Sequence, residues 1–91
     1  MAEVIHQIVH FSGHVQGVGF RFNVSQIAKE YDVCGFVRNC PDGRVELQIE
    51  GEESDLTDFV ATIKERMHGY VRNIEKSLKR RDPQFSGFNI R

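Results

Sequence analysis

The sequence predicts an α+β sandwich in which two helices cover one face of a mostly antiparallel sheet of four to five strands. Two observations lead to this prediction. Extended segments and amphipathic helical stripes follow one another in the order β-α-β-β-α-β, with one more extended segment at the end, and a strong turn joins the two middle strands. The chain has 91 residues, 40% of them hydrophobic and 27% charged, which suits one domain spanning residues 1–91.

Charge and cysteine content narrow the classes of function. The net charge is −1 and the pI about 6.4, which gives no broad basic surface for nucleic acid. No apolar run approaches ~20 residues and the first residues lack the pattern of a signal peptide, so we expect a cytoplasmic protein without a membrane partner. We also expect a monomer. Cys34 and Cys40 are expected to be reduced thiols, because if they share one strand they lie beyond disulfide reach, and two isolated cysteines make an unconvincing zinc site.

The first strand is expected at residues 4–12, where apolar residues on both faces indicate a central place in the sheet. His6 and His10 point the same way on this strand. Because two histidines four apart on a strand are poorly spaced for one metal ion, we expect both to be hydrogen-bonded or exposed.

The stretch from Gly13 to Arg21 has three glycines and no acidic side chain, and it ends on an arginine. Glycines let successive backbone N–H groups turn toward one point, and a helix N-terminus adds its own unpaired N–H groups. A glycine-rich loop that leads into a helix N-terminus is therefore suited to bind a phosphate. An apolar stripe of helical period follows, made of Phe20, Val24, Ile27, Ala28 and Tyr31.

The charges of this first helix are predicted to be reversed, with Arg21 at its start and Glu30 and Asp32 at its end. A cation at the positive end of the helix dipole is reasonable if an anion lies between them. The alternative is that Arg21 points into solvent.

A hairpin is expected next, from a strand at 33–39, a turn at Pro41-Asp42-Gly43 and a strand that begins near Val45. Alternation in the second strand predicts one buried and one wet face, with Asn39 just before the hairpin tip. Right-handed crossovers bring the end of the first strand close to this hairpin, so Arg21 and Asn39 are able to meet.

A second helix is expected after Ser54, which we assign as its cap. Its stripe consists of Leu56, Phe59, Val60, Ile63 and Met67. Residues 70–78 fit either a strand or a continued helix, and we favour a strand after a stop at His68-Gly69. A short last strand is expected between Phe85 and Arg91.

These segments resemble the acylphosphatase family along the whole chain, and the resemblance implies a ferredoxin-like βαββαβ sandwich. The first family signature is matched by Gly13-His14-Val15-Gln16-Gly17-Val18-Gly19-Phe20-Arg21. The second is matched by Gly35-Phe36-Val37-Arg38-Asn39, followed by Asp42-Gly43-Arg44-Val45 and Gly51.

The resemblance implies hydrolysis of acyl phosphates, which are carboxyl-phosphate mixed anhydrides, to a carboxylate and inorganic phosphate. It implies that Arg21 binds the phosphoryl group and that Asn39 positions the attacking water. Neither a metal nor another cofactor is implied. The backbone amides implied to bind phosphate with Arg21 are those of Val15, Gln16, Gly17, Val18, Gly19 and Phe20.

Two rival functions are considered. One is a non-catalytic accessory module that binds phosphate or carbamoyl phosphate, since its pocket could be identical. The other is an RNA-recognition domain, which shares the βαββαβ plan. RNA recognition fits poorly, because the aromatic motif of that domain belongs on the third strand and the pI here is acidic.

Overall fold

The predicted order of elements and the predicted fold class are confirmed. A computed structural model of the protein describes residues 3–91, so Met1 and Ala2 of the predicted domain lie outside the described residues. The elements are β1 Val4–Gly13, α1 Phe20–Ala28, β2 Cys34–Asn39, β3 Val45–Gly51, α2 Glu53–Arg66, β4 Val71–Arg81 and β5 Phe88–Ile90.

The five strands form one sheet in the order β4-β1-β3-β2-β5. All neighbouring pairs are antiparallel except β2 and β5, which run parallel. The predicted hairpin of β2 and β3 is present, and β1 lies inside the sheet as predicted. Only β3 lies between β1 and β2 in the sheet. The loop after β1 therefore lies near the end of β2.

Both helices pack on one face of this sheet, where alternate strand residues and the helical stripes form the core. Burying a large apolar side chain of this kind stabilises a protein by roughly 1.5–3 kcal/mol. The rings of Phe11 and Phe20 meet edge to face at 5.2 Å, which joins the end of β1 to the first residue of α1. The largest apolar side chains with at most 1% exposure are Phe11, Phe20, Phe59, Leu47, Leu56, Ile49 and Ile63.

The second face of β3 was predicted to be wet, and this is wrong. Glu46 is 8% exposed and Glu50 only 4% exposed. Burial opposes ionisation of Glu50, but hydrogen bonds from the backbone N–H groups of Gln84 and Phe85 and from Arg81 outweigh it and lower the pKa of this carboxyl. The segment between β4 and β5 therefore covers part of the face that the alternating pattern assigned to solvent.

The expectation for His6 is also wrong. His6 is 2% exposed, and its Nδ1 has no hydrogen-bond partner in the described part of the chain. Its ring lies 5.9 Å from that of Phe85. Burial, reinforced by the positive charge of Arg81, lowers the pKa of His6. His10, in contrast, is hydrogen-bonded as expected, to Glu46.

Three predicted boundaries shift. α1 ends at Ala28, so Glu30 and Asp32 lie in the turn beyond it and do not reverse the charge of its last turn. α2 begins at Glu53 with Glu52 at its N-cap, so the prediction that Ser54 caps this helix is wrong. The final strand is limited to Phe88–Ile90. Among residues 3–91, no helix is both long enough and apolar enough to cross a membrane.

Candidate active site

The glycine-rich loop between β1 and α1 is held at both ends by core residues. Val15 and Phe20 are each 1% exposed, so the chain between them is anchored. Gly19 is the N-cap of α1 and has φ +76°, a conformation that a residue with a Cβ rarely adopts. The first backbone hydrogen bond of the helix runs from Asn23 N to Gly19 O at 3.0 Å. The N–H groups of residues 20–22 precede that bond, and they are the ones that a helix leaves unpaired.

The side chain of Gln16 fastens this loop to the hairpin. Its Nε2 donates to the backbone oxygens of Cys40 and Arg44, each at 2.9 Å. The N–H of Cys40 also donates to the oxygen of Arg44, at 2.8 Å. Because Cys40 follows Asn39 directly, Gln16 fixes the position of the loop relative to Asn39.

Arg21 and Asn39 line the same cavity, although 18 positions separate them in the sequence. The cavity has a volume of about 210 Å³. Among the loop residues predicted to bind phosphate, four contribute to its lining, whereas Val18 packs against the core and Gln16 contacts the hairpin turn. The lining consists of Val15, Gly17, Gly19, Phe20, Arg21, Phe22, Asn39 and Ile90.

The two polar side chains of the cavity offer complementary groups. Arg21 donates from Nη1 to the backbone oxygen of Arg91 at 3.1 Å, which holds one edge of its guanidinium. Arginine remains charged and presents several donors in a fixed plane, which suits phosphate oxygens. The Oδ1 of Asn39 is buried and has no hydrogen-bond partner among the described residues. A buried acceptor without a partner costs free energy.

Sequence reasoning missed the contribution of the C-terminal strand to this cavity. The parallel pairing of β5 with β2 places Ile90 opposite Val37, two residues before Asn39. A final strand was expected, but nothing local in its sequence specified which strand it would pair with. Phe22 and Ile90 are 61% and 46% exposed, so both present apolar surface at the cavity.

Two other concavities are larger. One of about 570 Å³ is lined by residues of α1 and β5, and one of about 610 Å³ lies between α2 and β4. Neither is lined by the glycine-rich loop or by Asn39, within the described residues. We therefore place the candidate active site in the smaller cavity, where Arg21, residues of the glycine-rich loop and Asn39 come together.

A group of side chains able to ligate a metal lies on the face of the sheet that is turned away from the helices. The ligand atoms of His10, Cys40 and Glu46 are all within 4.8 Å of one another. Both cysteines have free thiols in the described structure. Sequence spacing gave no sign of this group, because its members come from two strands and from the residue that follows a third.

Comparison with known proteins agrees with the resemblance. The family described as Acylphosphatase matches residues 7–90. An acylphosphatase from Methanospirillum hungatei is 48% identical over 70 residues, which cover 75% of this chain and 77% of that protein. An acylphosphatase from Lacticaseibacillus paracasei is 38% identical over 92 residues, covering 99% of this chain and 98% of that protein. The crystal structure of acylphosphatase from Bacillus subtilis is similar with a TM-score of 0.85 and 33% identity, covering 94% of this chain and 97% of the other.

Proposed function

Since this chain belongs to the acylphosphatase family and hydrolyses acyl phosphates, we propose that Arg21 and the loop backbone hold the phosphoryl group while Asn39 positions the attacking water. The observation that carries the proposal is the convergence of these groups on one cavity of about 210 Å³. We also propose that residues 1–91 act as a single domain and as a cytoplasmic monomer, without nucleic acid or membrane as a partner. The net charge of −1 supports the absence of a nucleic-acid partner.

Binding of the phosphoryl group relies on one fixed charge and several backbone donors. Arg21 is the second residue of α1, so an anion in the cavity lies between its guanidinium and the positive end of the helix dipole. The backbone N–H groups of residues 15–20 belong to a loop anchored at Val15 and Phe20. Since these donors are fixed before substrate arrives, little reorganisation is needed as charge shifts during reaction.

The chemical step is direct attack of water on phosphorus. The water oxygen forms the new P–O bond, and the bond between phosphorus and the acyl oxygen breaks, so that its electron pair leaves on the carboxylate. One proton of the water passes to a phosphoryl oxygen of the substrate. Asn39 supports this step because an amide can hold a water by hydrogen bonds without removing its proton. A carboxylate is a good leaving group, so positioning and charge stabilisation supply much of the rate enhancement.

The acyl end of the substrate is placed against the apolar side of the cavity. Phe22 and Ile90 both line it and are largely exposed. An aromatic or aliphatic acyl group that covers them would remove apolar surface from water, worth roughly 25 cal/mol per Å². We therefore expect discrimination among acyl groups to be modest and to depend on these two side chains.

Turnover of benzoyl phosphate tests the proposal directly, with 4-nitrophenyl phosphate as a monoester control. We expect hydrolysis of the acyl phosphate, and we expect Arg21→Ala to lose about 100-fold or more of kcat/KM together with inhibition by inorganic phosphate. Arg80→Ala is the matched control, because Arg80 is exposed on the edge strand β4. Phosphate binding without turnover in the unmodified protein would favour a non-catalytic module, and normal phosphate inhibition in Arg21→Ala would contradict the role of Arg21.

A further inference from the structure

Three side chains able to ligate a metal lie close together beside the candidate active site, and one of them, Cys40, directly follows Asn39. His10 on β1 lies directly opposite Glu46 on β3, and Cys40 is the first residue after β2. Their ligand atoms lie within 4.8 Å of one another. Cys40 and Glu46 are each 8% exposed, so this group differs from the clusters of exposed acids that are common on protein surfaces.

The donor set selects a class of cation. It offers one sulfur, one imidazole nitrogen and one carboxylate oxygen, a combination that suits Zn²⁺ and its substitute Co²⁺. Ca²⁺ and Mg²⁺ prefer sites made of oxygen ligands and are disfavoured here. Three protein ligands would leave a fourth position for water.

The spacing of the ligand atoms is close to what a tetrahedral ion needs. Metal–ligand bonds of about 2.0–2.3 Å place ligand atoms roughly 3.3–3.7 Å apart. The Nε2 of His10 and the Oε1 of Glu46 are already 3.0 Å apart. An ion between them requires that these two atoms separate slightly and that the sulfur of Cys40, which lies within 4.8 Å of the other ligand atoms, approach by up to about 1.5 Å.

The guanidinium of Arg38 competes with a cation for the same carboxylate. It donates to Oε2 and Oε1 of Glu46 at 3.1 and 3.2 Å. Its side chain is 41% exposed, so it is able to swing into solvent when a metal takes over Oε1. Gln48 continues to hold Oε2, to which its Nε2 donates at 3.0 Å. Once Arg38 is displaced, the metal ion pairs the charge of the carboxylate and Gln48 keeps its second oxygen hydrogen-bonded.

We propose that His10, Cys40 and Glu46 form a binding site for one zinc-class divalent cation. On binding, the thiol of Cys40 releases its proton to the buffer as the sulfur–metal bond forms, and the oxidation state of the metal does not change. His10 and Glu46 are paired across neighbouring strands and Cys40 directly follows β2, which pairs with the strand of Glu46, so the fold itself holds the ligands near the geometry that the ion requires.

Titration of the reduced protein with Co²⁺ tests the site. We expect a sulfur-to-cobalt charge-transfer band that saturates at one ion per chain, is displaced by Zn²⁺ and is unaffected by excess Mg²⁺. Cys40→Ser and His10→Gln should each weaken binding at least about tenfold, whereas Cys34→Ser should not. A melting curve of each variant shows whether it is folded. Weaker binding in both Cys40→Ser and His10→Gln, at unchanged melting temperature, is then loss of binding and not loss of the fold.

Two further variants sharpen the test. Arg38→Gln should tighten binding, because it removes the competing cation, and mere destabilisation of the fold would have the opposite effect. Arg21→Ala should bind Co²⁺ like the unmodified protein, so the result does not depend on the proposed hydrolytic role of Arg21. Absence of the charge-transfer band, or a band unchanged in Cys40→Ser, would overturn the proposal.

Discussion

Asn39 offers the sharpest test of mechanism at the scale of a single residue. Asn39 lines the cavity, and we assign its side-chain amide to the attacking water. Asn39→Ala should therefore lower kcat by about 10²–10³-fold while leaving inhibition by inorganic phosphate nearly unchanged. Asn73→Ala on β4 is a suitable control, since Asn73 is exposed. An unchanged kcat in Asn39→Ala would remove this residue from the mechanism.

Phe22 allows the acyl end of the substrate to be tested separately from the phosphoryl end. Because its ring is 61% exposed and lines the cavity, Phe22→Ala should raise KM for benzoyl phosphate more than KM for acetyl phosphate. The difference should correspond to about 0.5–1.5 kcal/mol, the strength of one contact between aromatic rings. Steady-state kinetics on both substrates measures it, and equal changes in the two KM values would show that the ring does not contact the acyl group.

The residues of this cavity differ in how well the sequence specifies them. Arg21 and Asn39 lie in the two stretches that match the family signatures, so the resemblance names them as candidates. Ile90 could not be named in that way, because its place depends on the pairing of a three-residue strand with β2. The cluster of His10, Cys40 and Glu46 could not be predicted from the sequence either, because its members come together only through the register of the strands.

At the scale of an element, Gly35 controls how closely β2 approaches β3. Its φ is +153°, and a Cβ at this position would lie 1.9 Å from the backbone oxygen of Gln48. Gly35→Ala should therefore destabilise the protein by about 2–4 kcal/mol, since the strands would have to separate. Gly69→Ala is the control, because an added Cβ there meets nothing within 4 Å of the described structure. Urea unfolding of both variants measures the difference, and similar midpoints would contradict the close approach.

β3 shows why the type of an element is easier to predict than its surroundings. The alternation of Val45, Leu47 and Ile49 with polar residues correctly indicated a strand and its core face. The same alternation suggested solvent on the other face, where Glu46 and Glu50 are instead buried. Local periodicity reports which residues point together, but burial of the second face depends on long-range contacts that only the complete fold supplies.

At the scale of the whole molecule, Glu50 links the sheet to the C-terminal part of the chain. Its carboxylate accepts hydrogen bonds from Arg81 at the end of β4 and from the backbone of Gln84 and Phe85. That segment leads into β5, which carries Ile90 to the cavity. The buried carboxylate therefore supports both the closure of the sheet's second face and, indirectly, one wall of the candidate active site.

This linkage predicts a loss of stability in acid. The hydrogen bonds lower the pKa of Glu50 in the folded protein below its ordinary value of 4.5, so the stabilisation is complete above that pH and fades as the pH falls below it. At pH 7, Glu50→Gln should cost about 1.5–3 kcal/mol, because its amide offers no charge to these donors. The neighbouring ionisable groups, Arg81 and His6, remain in the variant.

Urea unfolding at several pH values measures this effect, with Glu75→Gln as the control for an exposed carboxylate on β4. The gap in unfolding free energy between the unmodified protein and Glu50→Gln should be constant from pH 7 to about 5 and should shrink at lower pH. Burial and the charge of Arg81 lower the pKa of His6, so its titration in acid removes stability in both proteins, and Glu50 itself partly offsets this shift in the unmodified protein. A gap that stays constant down to about pH 3 would mean that the charge on Glu50 does not hold the C-terminal segment in place.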